Sequence, residues 1–208
     1  MRDKHVGNFV NEGACASLGL DHDMLLNATK YTYGVLDGID ATLTRKKELR
    51  LAQLLELANL SAIVGNLFRG GVAKFSRGRF KANGPHKYPD LICEDARFEH
   101  IEIKVALEDN NPKGHLVKPG PHITVRYVLG DRRGKCTRGA RGDVIWIWEI
   151  RAGRLEDGHF NVSNTAGDSG KTAVVNKAGM GALKVVYFDI ERCPHSPRGK
   201  RYAELAGY

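Results

Sequence analysis

Pro89 and Asp90 are followed, across residues 91–101, by Glu102, Ile103 and Lys104. Two carboxylates so placed are the residue types that hold a divalent cation, and a lysine beside them supplies an ammonium to face an attacked phosphate. These are the parts that phosphodiester hydrolysis needs. Ile101, Ile103, Val105 and Leu107 alternate with Glu102, Lys104 and Ala106, the period-2 pattern of a strand. Residues i and i+2 of a strand share a face roughly 7 Å apart, so Glu102 and Lys104 are expected to point together, opposite the isoleucines. Residues 88–93 read as a short preceding strand, with Glu94, Asp95, Ala96 and Arg97 as its hairpin turn. That hairpin is expected to carry Asp90 back beside Glu102 or Lys104.

The elements that must hold these residues follow from periodicity. Residues 44–68 carry an apolar stripe at helical spacing, with Thr44 as N-cap and Gly70 and Gly71 as the stop. Glu56 falls on that stripe among Leu49, Leu60, Ile63 and Leu67. A carboxylate there is costly unless it is paired or coordinates a metal. An ion pair with a lysine or arginine at a helix crossing is the plainer alternative. Glu48 and Asn66 fall on another side of the helix and are weaker candidates. After the carboxylates, residues 122–129 and 144–151 read as strands, and Ala152 and Gly153 as a hairpin turn. Residues 169–183 suggest a short helix weakened by Gly179 and Gly181, and residues 185–190 a last strand. A long helix, a set of strands, then a helix and a strand predict an α/β fold with a mixed central sheet flanked by helices.

Pro89, Asp90, Glu102 and Lys104, with the strand-like Leu91 and Ile92, resemble the PD-(D/E)xK nuclease superfamily, which includes most type II restriction endonucleases. The resemblance implies a restriction-endonuclease-like core with the three catalytic residues on its central strands. It implies that Asp90 and Glu102 bind one or two Mg2+ ions and that Lys104 positions water beside the scissile phosphate. In many relatives a glutamate of the preceding helix completes the metal site, and Glu56 resembles that residue. In-line attack then leaves 5′-phosphate and 3′-hydroxyl ends. A homodimer would set two such sites on the two strands of a palindrome. The expected function is that of a sequence-specific endonuclease on double-stranded DNA, a type II restriction enzyme. A structure-selective or repair nuclease of the same superfamily and a non-catalytic DNA-binding protein are the competing readings. The motif is short, and a solvated sheet face carrying alternating charges would look the same.

Charge agrees with a polyanionic partner. Lysine and arginine number 32 against 24 acidic residues, a net charge of +8. Such a surface favours salt-dependent phosphate contacts. Lys74, Arg77, Arg79, Lys81, His86 and Lys87 lead into the carboxylates, and Arg132, Arg133, Lys135, Arg138 and Arg141 share one glycine-rich loop. Arg192, Arg198, Lys200 and Arg201 crowd the end of the sequence. Asn110, Asn111, Lys113 and the loop of residues 132–141 are the candidates for base-edge contacts. His115 and His122 flank Lys118, Pro119, Gly120 and Pro121; phosphate binding or loop stabilisation is favoured for the histidines over general-base catalysis, and His115 and Lys118, with Lys87, are candidates for DNA contact. Residues 167–172 resemble a phosphate-binding loop, but Thr165 stands where the pattern needs glycine, so no nucleotide cofactor is expected. Lys171 is left to contact DNA or cap a helix. Trp146 and Trp148 share a strand face and are expected in the core.

A chain of 208 residues is expected to form a single nuclease domain over residues 1–208, with residues 1–43 a helical arm for dimerisation or DNA clamping. Residues 37–40 are expected to break that arm from the long helix. No run approaches the roughly 20 apolar residues of a membrane span, and residues 1–15 lack a signal-peptide core, so a cytoplasmic protein without a membrane partner is expected. Cys15, Cys93, Cys136 and Cys193 are dispersed, with no paired-cysteine metal motif, and free thiols are expected.

Overall fold

The computed structural model describes residues 2, 7–84, 87–137, 140–163 and 172–194. In chain order these form β1 (Asn8–Phe9), α1 (Glu12–Ala16), α2 (His22–Arg45), α3 (Leu51–Leu54), α4 (Leu57–Phe75), β2 (Phe80–Ala82), β3 (Leu91–Cys93), β4 (Glu102–Leu107), β5 (Lys113–Gly114), β6 (Gly120–Gly130), β7 (Val144–Leu155), β8 (Phe160–Ser163), β9 (Thr172–Val175), α5 (Lys177–Ala182) and β10 (Lys184–Phe188). The fold is mixed α/β. A five-stranded sheet runs β1-β10-β7-β6-β4. Only β4 and β6 pair in parallel; the other neighbours are antiparallel. Two smaller sheets, β2-β3 and β5-β9-β8, flank it. Among the described residues no helix is long and apolar enough to cross a membrane.

The alternation in β4 sorts the two faces of the sheet. Ile103 and Val105 align with Ile123 and Val125 of β6, and Glu102 and Lys104 align with His122 and Thr124. The apolar side meets α4: a Cβ on Gly65 would lie 3.1 Å from Val105, and the Tyr127 and Ser61 hydroxyls are 3.0 Å apart. The polar side is roofed by the β5-β9-β8 sheet and α5. Phe160 stands beside His122, and Arg151 donates to the Met180 carbonyl at 2.8 Å. Leu155, Phe160, Ala173, Val175, Met180 and Leu183 form a small second core in that roof.

Several elements differ from the sequence-based expectation, each for a tertiary reason. The helix expected over residues 44–68 does not form as one piece. α2 runs through residues 37–40 without a break, because Thr29, Thr32, Tyr33, Leu36 and Asp40 keep one buried face at helical spacing. It ends at Arg45, and Lys47 then takes a left-handed conformation (φ 62°). Asp40 captures the Arg50 guanidinium at 3.1 Å and the Leu51 N–H at 2.9 Å, which starts α3 in a new direction. Residues 22–45 are thus part of the main core, where Met24, Leu25, Ala28 and Leu36 are buried, rather than a projecting arm. α4 continues past Gly70 and Gly71. Gly71 is there for close approach, since a Cβ would lie 2.8 Å from Ala28 Cα across the α2–α4 crossing.

The strands expected at residues 122–129 and 144–151 correspond to β6 and β7. Ala152 and Gly153, expected as a turn, lie inside β7, paired with Ile123 and His122. Residues 172–175 are a strand preceding the short α5, and residues 169–171 of that expected helix lie outside the described residues. Trp146 and Trp148 are buried, their indole N–H groups donating to the Asp131 and Glu108 carbonyls.

Candidate active site

Asp90 immediately precedes β3 and Glu102 opens β4. No hairpin ladder joins them. Instead Leu91 and Ile101 form one isolated antiparallel bridge, with N–H···O distances of 2.9 and 3.0 Å, while β3 pairs with β2. This bridge is enough to return the chain. Asp90 Oδ2 accepts the Ile103 N–H at 2.8 Å. From the other side Asn83 fixes the turn, its N–H donating to the Asp90 carbonyl and its amide to the Pro89 carbonyl, both at 2.9 Å. β4 is an edge strand of the sheet and Asp90 lies outside that sheet, so the expected placement on central strands does not hold. Asp90 is partly exposed there, whereas Glu102 is buried.

Asp90, Glu102, Lys104 and Lys113 line one cleft of about 290 Å³ between α4 and β4, together with Ser61, Gly65 and Asn66 of α4. Glu102 is only 3% exposed. Its Oε1 accepts from the ammonium groups of Lys104 and of Lys118, the latter at 2.7 Å. Its buried Oε2 has no hydrogen-bond partner. Arg69 of α4 places a guanidinium nitrogen 3.6 Å from Asp90 Oδ1. Gly114 of β5 packs against Lys104, whose Nζ would be 3.3 Å from a Cβ there.

The two carboxyls sit in opposite electrostatic settings. Burial first, and then the charge of Glu102, push the Asp90 carboxyl above its ordinary range. Burial would push Glu102 up as well, but the Lys104 and Lys118 ammonium groups outweigh it and hold Glu102 below the usual range. A buried carboxylate oxygen without a partner is costly, and a metal ion is one of the few groups that satisfies it. The chemistry of Asp90 with Glu102 Oε2 therefore fits a hard divalent cation with oxygen ligands. Among the described residues no third acidic, histidine or cysteine side chain joins them as a ligand cluster.

His122, opposite Glu102 in the β4–β6 register, is fully buried. Its Nδ1 donates to the Gly120 carbonyl at 2.9 Å, which leaves Nε2 as an acceptor without a partner. Burial lowers its pKa to about 4, so it is neutral near pH 7.

The remaining expected site residues separate into groups. Glu56 is not on an apolar stripe. It is the exposed N-cap of α4, outside the cleft, and the buried face of that helix is Leu60, Val64, Phe68 and Val72. The stripe misassigned it because the helix begins one residue later. Lys87, Lys113 and His115 are exposed on the segments flanking the cleft. Asn110 and Asn111 are tied to Arg126, whose guanidinium donates to the Asn110 carbonyl and to Asn111 Oδ1, each at 3.2 Å. Arg132, Arg133 and Lys135 are exposed beyond Gly130, six residues along β6 from Thr124 and so roughly 20 Å from Lys104. Arg141 is structural, donating to the Ala52 and Leu55 carbonyls at the end of α3. Arg138, Lys171 and residues 167–171 of the 167–172 segment lie outside the described residues, as do His86, Arg198, Lys200 and Arg201. Arg69, Asn83 and Tyr88 were missed in the sequence, since nothing local marks them.

A larger cleft, about 640 Å³, runs along α2 past Gly34, Gly38, Arg45 and Arg132. Its acidic residues Asp37 and Asp40 already pair with Arg2 and Arg50, so it offers no comparable carboxylate pair.

Scanned against protein-family models the chain matches none, and no curated protein matches it significantly.

Proposed function

We propose that this chain is a Mg2+-dependent endodeoxyribonuclease of the PD-(D/E)xK type, a type II restriction enzyme that cuts intracellular double-stranded DNA as a homodimer. The observation that carries the reading is the convergence of Asp90, Glu102 and Lys104 on one cleft beside the edge strand of the sheet, pinned by the Asp90–Ile103 hydrogen bond. Parts of a phosphodiester-cleaving site that lie in separate segments of the chain are assembled there.

Asp90 and Glu102, through its unpartnered Oε2, would hold the cation. Bound there, Mg2+ supplies positive charge that acidifies the attacking water and offsets charge growing on the phosphate. Lys104, anchored on Glu102 Oε1, orients that water and faces the phosphate oxygens. Burial of Glu102 excludes bulk water from one side of the site and strengthens these interactions. Lys113 contributes a further positive charge at the rim, and Lys87 and His115 are exposed on the neighbouring segments where a DNA backbone would pass.

Digestion of a long unmethylated phage DNA, with Mg2+, without it, and with Asp90→Ala, tests the reading. Discrete Mg2+-dependent fragments that vanish in the variant are expected. Intact DNA, also on nicked and branched substrates, would overturn it and leave a DNA-binding protein.

A further inference from the structure

Lys118 lies on the segment between β5 and β6, apart from the segments that carry Asp90 and the Glu102–Lys104 pair. Its ammonium is held between two groups: Glu102 Oε1 at 2.7 Å and the Tyr88 ring, 4.5 Å from the centroid. The Tyr88 hydroxyl donates to the Pro119 carbonyl at 3.4 Å, so the segment leading to Asp90 and the segment leading to β6 hold each other across the site. Lys104 donates to the same Glu102 oxygen, and Arg69 stands 3.6 Å from Asp90. Three cationic groups, Lys104, Lys118 and Arg69, are thus set against the two carboxylates, before Lys113 in the cleft is counted.

This excess matters for ligand binding. A divalent cation approaching Asp90 and Glu102 is attracted by two negative charges but repelled by three positive ones. In a poorly hydrated site that repulsion is only weakly screened. A phosphodiester anion reverses the balance, because it gives Lys118 an alternative partner and adds negative charge beside the cation. The three donors of an ammonium suit it to turn from carboxylate to phosphate without moving its backbone.

Resting on the nuclease reading above, we propose that Lys118 is a second active-site lysine that makes divalent-cation binding and phosphate binding mutually dependent. Lys118 holds Glu102 until a phosphate takes its ammonium, so the cation binds tightly only together with substrate. By linkage each ligand raises the affinity of the other by the same factor. The device keeps a charged cation site selective for the moment when DNA lies in the cleft.

The test is Mn2+ binding, followed by the paramagnetic resonance of free Mn2+, with and without thymidine 5′-monophosphate as the phosphate probe. In the wild-type chain the nucleotide is expected to tighten Mn2+ binding by about fivefold or more. Lys118→Met is expected to bind Mn2+ alone more tightly than wild type, with the nucleotide effect falling below about twofold. Lys118→Arg keeps the charge and is expected to retain coupling, which separates loss of the ammonium from a folding defect; thermal melts check both variants. Undiminished coupling in Lys118→Met, or wild-type Mn2+ binding indifferent to the nucleotide, overturns the role of Lys118 while leaving the nuclease reading in place. Absence of Mn2+ binding under both conditions overturns the metal-dependent reading as well.

Discussion

Asp90 Oδ2 accepts the backbone N–H of Ile103 at 2.8 Å, so the first carboxylate is fastened to the centre of the Glu102–Lys104 triplet rather than to a neighbouring side chain. Backbone geometry of an edge strand therefore sets the separation of the two carboxylates. A short side chain at position 90 bridges to the strand while its second oxygen faces Arg69 and the cleft.

Asp90→Ala, Glu102→Ala and Lys104→Ala are each expected to lower Mg2+-dependent DNA cleavage by about 10²-fold or more, the scale for losing a group that stabilises transition-state charge. Glu56→Ala is expected to stay within about twofold of wild type, as for other exposed substitutions away from special contacts. Initial rates on a supercoiled plasmid measure all four. A collapse of activity in Glu56→Ala would restore that residue to the site.

Conservative amides are expected to have opposite effects on stability in chelator. Asp90→Asn removes a buried charge that Glu102 repels, while its amide oxygen still accepts from Ile103; stability should rise at pH 7. Because the Asp90 pKa is raised, that gain should shrink as pH falls through it and the wild-type carboxyl protonates. Glu102→Gln strands the Lys104 and Lys118 ammonium groups and is expected to cost about 1–3 kcal/mol. The Glu102 pKa is depressed, so its contribution is present above the ordinary carboxylate range and lost as pH falls through the depressed value. Urea melts across pH give both signs.

His122 provides a separate acid-sensitive contribution. Its pKa falls from the ordinary 6.5 to about 4 on folding, so the unfolded chain binds the extra proton first. Stability is expected to decline as pH drops from 6.5 towards 4, by up to roughly 3 kcal/mol. His122→Gln should flatten that limb, and an imidazole NMR titration with a midpoint near 6.5 in the folded protein would refute it.

Arg50 bridges Asp40 at 3.1 Å and Asp143 at 3.0 Å, joining the α2–α3 junction to the start of β7. Arg50→Ala leaves Asp40 buried without its cation, and a loss of about 3–5 kcal/mol is expected. Chemical denaturation of the variant beside an Asp40→Asn/Arg50→Ala double variant, which should recover part of the loss, checks the coupling.

Gly71→Val forces a branched side chain into the Ala28 backbone, closer than 3 Å at the Cβ alone. Destabilisation by about 1–3 kcal/mol is expected, read as a lower melting temperature with the cleft residues unchanged.

The local chemistry of this chain is legible in its residues. Alternation in residues 101–107 is enough to put Glu102 and Lys104 on one face, because side-chain direction in a strand depends only on the pleat. The strong β-formers of β6 and β7, the buried tryptophans and the pairing of a helix with a mixed sheet are legible for the same reason: each depends on nearest neighbours and burial of an apolar face. Even the return of Asp90 beside Glu102 is visible as an expectation, although a single bridge achieves it instead of a ladder.

Tertiary structure decided what depends on partners far along the chain. The long helix divides where it does because Asp40 reaches Arg50 and Leu51, and a helical wheel contains no information about that capture. Glu56 consequently leaves the stripe, and the contribution of α4 to the cleft falls to Ser61, Ala62, Gly65 and Asn66, with Arg69 set against Asp90. The position of β4 at the sheet edge follows from its parallel pairing with β6 alone, a choice made by the whole sheet and not by the strand. Lys118 is legible in the sequence as a candidate for DNA contact, but only the folded path of its loop ties it to the carboxylates by bringing its ammonium to 2.7 Å from Glu102. Periodicity reads forces between residues a few positions apart; the cation excess of the cleft is set by contacts between segments that only the packed chain brings together.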